Sequence, residues 1–270
     1  MAFTIRRTPV LGVGISETSY DDVSLICREW IAERHTSTAT AARYICVTSV
    51  HGIITAVFDP SVKEDLNGAD VATPDGMPVV WALRSFGARG QQRVYGPTLM
   101  LALCANAERS GHRVFLYGAH PDTLVELQKN LRNRFPGLVI AGTYSPPFRP
   151  LTAAEDSEVT DSIRRARADL VFVGLSTPKQ ERWMALHQPL LPGMILIGVG
   201  AAFDFHAGRL RQAPAWMQNR GLEWLFRFLM EPLRLWKRYL LITPIFLPLW
   251  ALQKIGILRY APVNARTASA

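Results

Sequence analysis

Between residues 112 and 204, short runs dominated by apolar residues alternate with stretches in which apolar residues recur every third or fourth position. The runs cover residues 112–117, 138–141, 168–173 and 194–197. The periodic stretches cover 121–135, 152–166 and 178–187. A short apolar run that stops at Gly or Pro reads as a buried strand, and the longer period reads as an amphipathic helix. Strand and helix in strict alternation predict a mainly parallel sheet flanked by helices, with right-handed crossovers. The punctuation agrees. Pro136-Gly137 stops one helix, Thr152 and Glu155 are spaced as a capping box, and Pro178 suits a first helical position.

Upstream, the pattern predicts a strand over 10–15 and a helix over 21–34 with Val23, Ile26, Trp30 and Ile31 on one face. A strand over 43–47, a short helix over 60–66 and a strand in the run 69–72 follow. Helices over 77–86 and 96–109 come next, the second ended by Gly111. Residues 144–150 hold Pro146, Pro147 and Pro150 and read as a loop.

Beyond Pro214 the pattern changes. Residues 216–239 interleave Trp216, Trp224, Phe226, Phe228 and Trp236 with Arg220, Arg227, Arg234, Lys237 and Arg238 on all faces, and Pro232 should break the segment into two helices. Residues 239–253 are an uncharged run of fifteen, interrupted by Pro244 and Pro248. A bilayer span needs about 20 apolar residues, so the segment reads as interfacial, with a single-span anchor as the alternative. The chain therefore divides into an α/β domain over 1–208 and a basic amphipathic appendage over 209–270.

Composition sharpens this division. A chain of 270 residues, 49% hydrophobic, can bury a sizeable core. The formal net charge is +8. Residues 209–270 hold ten Lys/Arg against Glu223 and Glu231, whereas the charges of 1–208 cancel. That asymmetry points to an anionic partner. No recognition helix or single-strand-binding motif accompanies it, so nucleic acid is disfavoured. Cys27, Cys46 and Cys104 form no CxxC pair and suit buried thiols in a reducing compartment, and the six histidines show no metal-ligand spacing. The amino terminus lacks the apolar centre of a signal peptide, which places the active part in the cytoplasm.

Candidate chemistry gathers where the predicted strands end. In parallel sheets the crevice beyond the strands' carboxyl ends is where ligands bind, so Asp75, Gln180 and Asp204 are expected to converge. Asp75, between Pro74 and Gly76, is either a helix N-cap or a general base. Lys179 and Gln180 open a helix whose amide donors suit a phosphate, or merely a capped helix end. Gly198-Val199-Gly200 and Gly12-Val13-Gly14 lack the third glycine of a dinucleotide fingerprint, so an NAD-dependent oxidoreductase is disfavoured. Asp204 suits a ribose hydroxyl or a turn cap. No Asp-x-Asp pair is present, so a nucleotide-sugar enzyme of this sequence would neutralise its leaving diphosphate with arginines. The same basic residues equally suit anionic lipid.

Taken in order, the motifs resemble a known family. They are Pro74-Asp75-Gly76-Met77-Pro78, Arg93-Val94-Tyr95-Gly96-Pro97, Phe115-Leu116-Tyr117-Gly118, Gly174-Leu175-Ser176-Thr177-Pro178-Lys179-Gln180-Glu181, Gly198-Val199-Gly200-Ala201-Ala202-Phe203-Asp204, Arg211-Gln212-Ala213-Pro214, Gly221-Leu222-Glu223-Trp224-Leu225-Phe226-Arg227 and Glu231-Pro232-Leu233-Arg234. Over roughly residues 40–240 this set resembles the WecG/TagA/CpsF glycosyltransferases. The resemblance implies a Rossmann-like catalytic domain and a membrane-associating carboxyl-terminal appendage. It implies inverting, metal-independent transfer from a UDP-sugar to a polyprenyl-diphosphate-linked saccharide, at the inner face of the cell membrane and with no cofactor. It makes Asp75 the general base. It places Thr48, Gln180 and Asp204 around the donor, and the strand-end residues Gly118, Lys179, Gly198 and Gly200 complete the expected substrate-binding set. It assigns Arg211, Arg220, Arg227 and Arg234 to the diphosphate or to closing the site.

One departure concerns the donor loop, where the family usually has an Asn and this chain reads Val47-Thr48-Ser49-Val50-His51. The forms Gly76-Met77-Pro78 and Tyr95-Gly96-Pro97 look more like the xanthan-type glucosyltransferase branch, which implies UDP-glucose and exopolysaccharide synthesis. The alternatives are N-acetylmannosamine or its uronic acid as donor sugar, or a non-catalytic UDP-binding membrane adaptor.

Overall fold

The computed structural model of the chain describes residues 5–36 and 41–263. Residues 1–4, part of the amino terminus read above for a leader, lie outside the described residues. The chain opens with a hairpin: β1 (Arg7–Val10) and β2 (Val13–Ser16) pair antiparallel, with Val10 opposite Val13. The single strand expected over 10–15 is therefore a turn and the strand that follows it. Leu11 and Gly12 both take positive φ, 51° and 84°, as a two-residue hairpin turn requires. Leucine in the first turn position carries no turn signal, so the apolar pattern runs straight through it.

Then come α1 (Tyr20–Thr36), which buries Val23, Ile26, Trp30 and Ile31, and β3 (Arg43–Thr48). Sequence reading misses the next element, α2 (Val50–Phe58). Its β-branched residues and Gly52 have poor helix propensity. Burial of Val50, Ile53, Ile54 and Ala56 overrides that preference. α3 (Pro60–Asn67) is capped by Asp59, whose carboxylate accepts from the Ser61 amide at 2.9 Å. β4 (Val71–Pro74) and α4 (Met77–Ser85) follow, then α5 (Gly96–Ser110), stopped at Gly111 with φ 69°.

β5 (Arg113–Gly118), α6 (Pro121–Arg134), β6 (Val139–Tyr144), α7 (Ala153–Arg165), β7 (Leu170–Gly174), α8 (Lys179–His187) and β8 (Ile195–Gly198) are the predicted alternation. Thr152 and Glu155 close the capping box of α7 in both directions. Pro178 is the N-cap of α8 and not its first helical residue. Asp204 lies inside a short helix, α9 (Ala202–His206), and not in a loop.

The basic-aromatic segment forms α10 (Ala215–Asn219), α11 (Glu223–Met230), α12 (Pro232–Trp236) and a wider π-type turn over Lys237–Ile242, where two helices were expected. The break at Pro232 falls as predicted. α13 (Phe246–Lys254) follows. Among the described residues no helix is long and apolar enough to cross a membrane.

The six strands β3 to β8 form one sheet in the order β4-β3-β8-β7-β5-β6. β3 runs parallel to β8, β8 to β7, β7 to β5 and β5 to β6, so the molecule is of the parallel α/β class expected. Ile45, Leu116, Phe172 and Ile197 are completely buried within these strands.

By compactness the chain forms two units. Among the described residues, one comprises residues 5–19, Val47–Tyr95 and residues 212–263, and the other comprises residues 20–36 and 41–46 with Gly96–Arg211. In the first unit, the buried Arg7 guanidinium donates to the carbonyls of Gly14, Leu66 and Ala69 at 2.9–3.2 Å, tying the hairpin to the end of α3. That charge sits at a helix carboxyl terminus, where the macrodipole favours a cation.

Candidate functional site

In the first unit, β4 delivers Asp75 to its carboxyl end. The Asp75 amide donates to the Thr48 carbonyl at 2.9 Å, joining the ends of β3 and β4. Gly76 is the N-cap of α4, with φ 96° and ψ 141°, a region that only glycine enters at little cost. The Asp75 side chain is therefore not spent on capping. The Val94 amide donates to the Pro74 carbonyl at 2.9 Å and brings Arg93 alongside. Arg93 Nε and Nη2 both donate to Asp75 Oδ1, at 3.1 and 3.0 Å. The other carboxylate oxygen, Oδ2, makes no hydrogen bond among the described residues.

Arg93 has a second carboxylate partner. Its Nη2 lies 2.7 Å from Glu223 Oε2 at the start of α11. The Tyr95 ring supports the guanidinium, with 4.0 Å from Cζ to the ring centroid. Gly221 permits this approach: its φ is 73°, and a Cβ there would meet Met77 Cβ and the Trp81 ring at 3.1 Å.

The charges act on one another through this cluster. Burial pushes the Asp75 carboxyl above its ordinary value and Glu223 adds to the effect, while Arg93 and Arg238 oppose it. Burial, Glu223 and Asp75 push the Tyr95 phenol upward. Burial lowers Arg238, with the like charges of Arg227 and Arg234 acting in the same direction. A low-dielectric cluster in which two carboxylates share one arginine leaves the charge state of Asp75 sensitive to every neighbour.

An open cavity lies against this cluster. Ser49, His51, Asp75, Met77, Arg93, Glu223, Trp224, Arg227, Arg238 and Tyr239 line it, among others. Of the four arginines expected at the site, Arg227 lines the cavity. Arg220 is exposed, and Arg234 is exposed and pairs with Glu231; neither lines the cavity. Arg211 belongs to the other unit and is exposed. Thr48 contributes its backbone carbonyl and is itself buried. Arg238, one of the carboxyl-terminal arginines suited by sequence to a leaving diphosphate but not among the four expected at the site, lines the cavity and donates to Ser49 Oγ at 3.4 Å.

In the second unit, Gln180 is 2% exposed. Its Oε1 accepts from the Gly200 amide at 3.0 Å, and its Nε2 donates to Glu181 Oε1 at 3.1 Å. Gln180 thus pins the Gly198–Gly200 turn to α8. A Cβ on Gly198 would meet Met184 Cε at 2.7 Å and the Gln180 amide at 3.2 Å. Gly118, φ 127°, lies where a Cβ would overlap the Gly174 carbonyl oxygen at 2.5 Å, so the ends of β5 and β7 touch through glycine. Gln180, Gly198 and Gly200 come together. Lys179 is exposed at the first turn of α8, and Asp204 is half-buried on α9.

Arg93, Glu223, Tyr95 and His51 were not singled out from the sequence. Arg93 and Tyr95 stand in a quoted motif, and Glu223 is one of only two acids in the basic carboxyl-terminal quarter. An isolated acid among ten basic residues was a usable signal. Among the described residues no group of three or more His, Cys, Asp or Glu is placed to hold a metal ion.

Comparison with known proteins bears on this arrangement. Residues 8–259 match the model of the glycosyl transferase WecG/TagA/CpsF family. The N-acetylglucosaminyldiphosphoundecaprenol N-acetyl-beta-D-mannosaminyltransferase of Bacillus spizizenii (strain ATCC 23059 / NRRL B-14472 / W23) is 34% identical over 187 residues, covering 69% of this chain and 70% of the relative. The enzyme of the same name from Bacillus subtilis (strain 168) is also 34% identical over 187 residues, 69% of this chain and 71% of the relative. The match spans both the Asp75 cavity and the Gln180 turn, and the chain belongs to the WecG/TagA/CpsF family of glycosyltransferases.

Proposed function

We propose that this glycosyltransferase moves N-acetylmannosamine from its UDP derivative to an undecaprenyl-diphosphate-linked N-acetylglucosamine, with inversion and without a metal ion or other cofactor. The names of the two relatives support this donor and acceptor over the glucose and exopolysaccharide suggested by the Gly76-Met77-Pro78 form. The observation that carries the mechanism is the one-sided grip on Asp75. Arg93 holds Oδ1 and leaves Oδ2 for a substrate hydroxyl.

In the reaction, the acceptor hydroxyl gives its proton to Asp75 Oδ2 as its oxygen bonds to the anomeric carbon. The bond from that carbon to the UDP oxygen breaks on the opposite face. The diphosphate leaves with the electron pair, and Arg227, Arg238 and the amino-terminal end of α2 offset its charge. Desolvation, which raises the Asp75 pKa, makes it a better proton acceptor than an exposed carboxylate. The basic, apolar carboxyl-terminal segment keeps the enzyme on the inner membrane surface, where its lipid-linked acceptor resides.

The test is UDP release in EDTA from UDP-N-acetylmannosamine and UDP-glucose, with an undecaprenyl-diphosphate N-acetylglucosamine acceptor. Acceptor-dependent release from the N-acetylmannosamine donor is expected, with Asp75→Asn lowering kcat by about 10²–10⁴-fold while UDP still binds. Full turnover by Asp75→Asn removes the base assignment. Preference for UDP-glucose overturns the donor.

A further inference from the structure

The cavity beside Asp75 holds one histidine that its fold leaves unsatisfied. His51, in the first turn of α2, lines the cavity, and its Nδ1 is buried with no hydrogen-bond partner among the described residues. Two other inward histidines among the described residues are provided for. His187 has Trp183 O at 2.8 Å and Asp156 Oδ1 at 3.1 Å, and His206 has Pro97 O at 2.8 Å. Buried polar atoms in native proteins are nearly always paired, and an exception at a cavity wall calls for a partner that binds there.

The chemistry of that partner follows from the surroundings. Burial and the neighbouring Arg238 guanidinium push the His51 pKa down to about 4. Near neutral pH the ring is uncharged and offers one donor and one acceptor nitrogen. Phosphate has cations in this cavity already, Arg227 and Arg238. A neutral ring suits a neutral group that both donates and accepts, as sugar hydroxyls and acetamides do. Ser49 precedes His51 as N-cap of α2, makes no capping bond of its own, and lines the same wall.

Resting on the reading that transfer takes place in this cavity, we propose that His51 is a specificity-determining residue, hydrogen-bonding an uncharged hydroxyl or acetamido group of the sugar held beside Asp75. That sugar belongs to the donor or to the acceptor, and the experiment separates them. His51→Leu and His51→Asn are compared with the full-length parent enzyme in initial-rate kinetics, varying donor and acceptor in turn, with Tm recorded for each. Losing an orphaned buried nitrogen, His51→Leu should match or exceed the parent Tm while raising one KM about tenfold or more, and His51→Asn should recover most of that loss. A rise in the donor KM assigns the contact to the donor sugar, and a rise in the acceptor KM assigns it to the acceptor. Both KM values of His51→Leu within about twofold of the parent overturn the proposal, whatever its Tm. Asp75→Asn, run in parallel, keeps the two readings apart. An inactive Asp75→Asn beside a normal His51→Leu defeats this inference alone, whereas a fully active Asp75→Asn defeats the cavity assignment beneath it.

Discussion

Arg93 is shared by two carboxylates, and the proton affinity of Asp75 follows from that sharing. Asp75 works as a base only when ionised, so kcat/KM should climb as pH rises through its raised pKa, above the ordinary value of about 3.9. Arg93→Gln withdraws the positive charge that favours the carboxylate and should move this ascending limb to higher pH. Glu223→Gln withdraws a negative neighbour and should move it lower. Profiles of kcat/KM against pH for the three proteins check both signs, and a limb that stays put in all three removes Asp75 from the role. The same shift has a cost in stability. Between the unfolded and the raised folded pKa the native state binds more protons, so stability falls as pH rises across that interval. Asp75 was legible in the sequence because its Pro-Asp-Gly context is local. Its partnership with Arg93 and Glu223 was not, because it depends on α11 packing against a loop far away along the chain.

At the scale of elements, α13 holds the carboxyl-terminal segment to the amino-terminal hairpin. Gln253 Oε1 accepts from the Leu11 amide at 2.8 Å, and Gln253 Nε2 donates to the Pro9 carbonyl at 2.7 Å. Gly12 and Gly14 let Tyr260 and Val263 lie flat on the hairpin, since a Cβ would meet them at 2.9 and 2.7 Å. Trp250 Nε1 donates to Ser85 Oγ on α4 at 3.1 Å. Gln253→Leu strands an amide and a carbonyl, and should cost about 1–3 kcal/mol. Thermal or urea unfolding measures that loss, and an unchanged midpoint would show that the clasp contributes nothing to the fold. The hairpin and α2 are two of the elements that the pattern misrepresented. In both, side-chain burial outweighs the local preference that a sequence window reports.

At the scale of the whole molecule, the carboxyl-terminal quarter is part of the unit that holds Asp75, not a detachable tail. Leu235, Tyr239 and Phe246 are buried, and eight of the cavity-lining residues come from this segment. Deleting it would dismantle the cavity as well as any membrane contact, so point changes are the cleaner probe. Leu229, Leu233, Leu240 and Leu241 are 64%, 92%, 55% and 56% exposed, beside the exposed Arg234 and Lys237. Exposed apolar residues set among cations suit an anionic bilayer surface. Cosedimentation with anionic vesicles should fall in Leu233→Glu. It should fall further between 0.1 M and 1 M salt, as the screening length drops from about 10 to 3 Å. Binding indifferent to both changes would refute the membrane role of this face.

The sequence by itself determined the parallel α/β class, most helix and strand positions, the break at Pro232 and the strand-end placement of Asp75. Each rests on short-range physics: the 3.6-residue and two-residue periods, the restricted φ of proline and the freedom of glycine. Only the tertiary structure decided that Asp75 answers to Arg93 and Glu223, and that Arg227 and Arg238 line its cavity while Arg220 and Arg234 do not. It also decided that Gln180 pins a glycine turn and that His51 is left with an empty ring nitrogen. Those relations arise where segments remote in sequence meet. The deciding quantities there are the desolvation of a charge and the geometry of its nearest partner, and neither is written into any local run of residues.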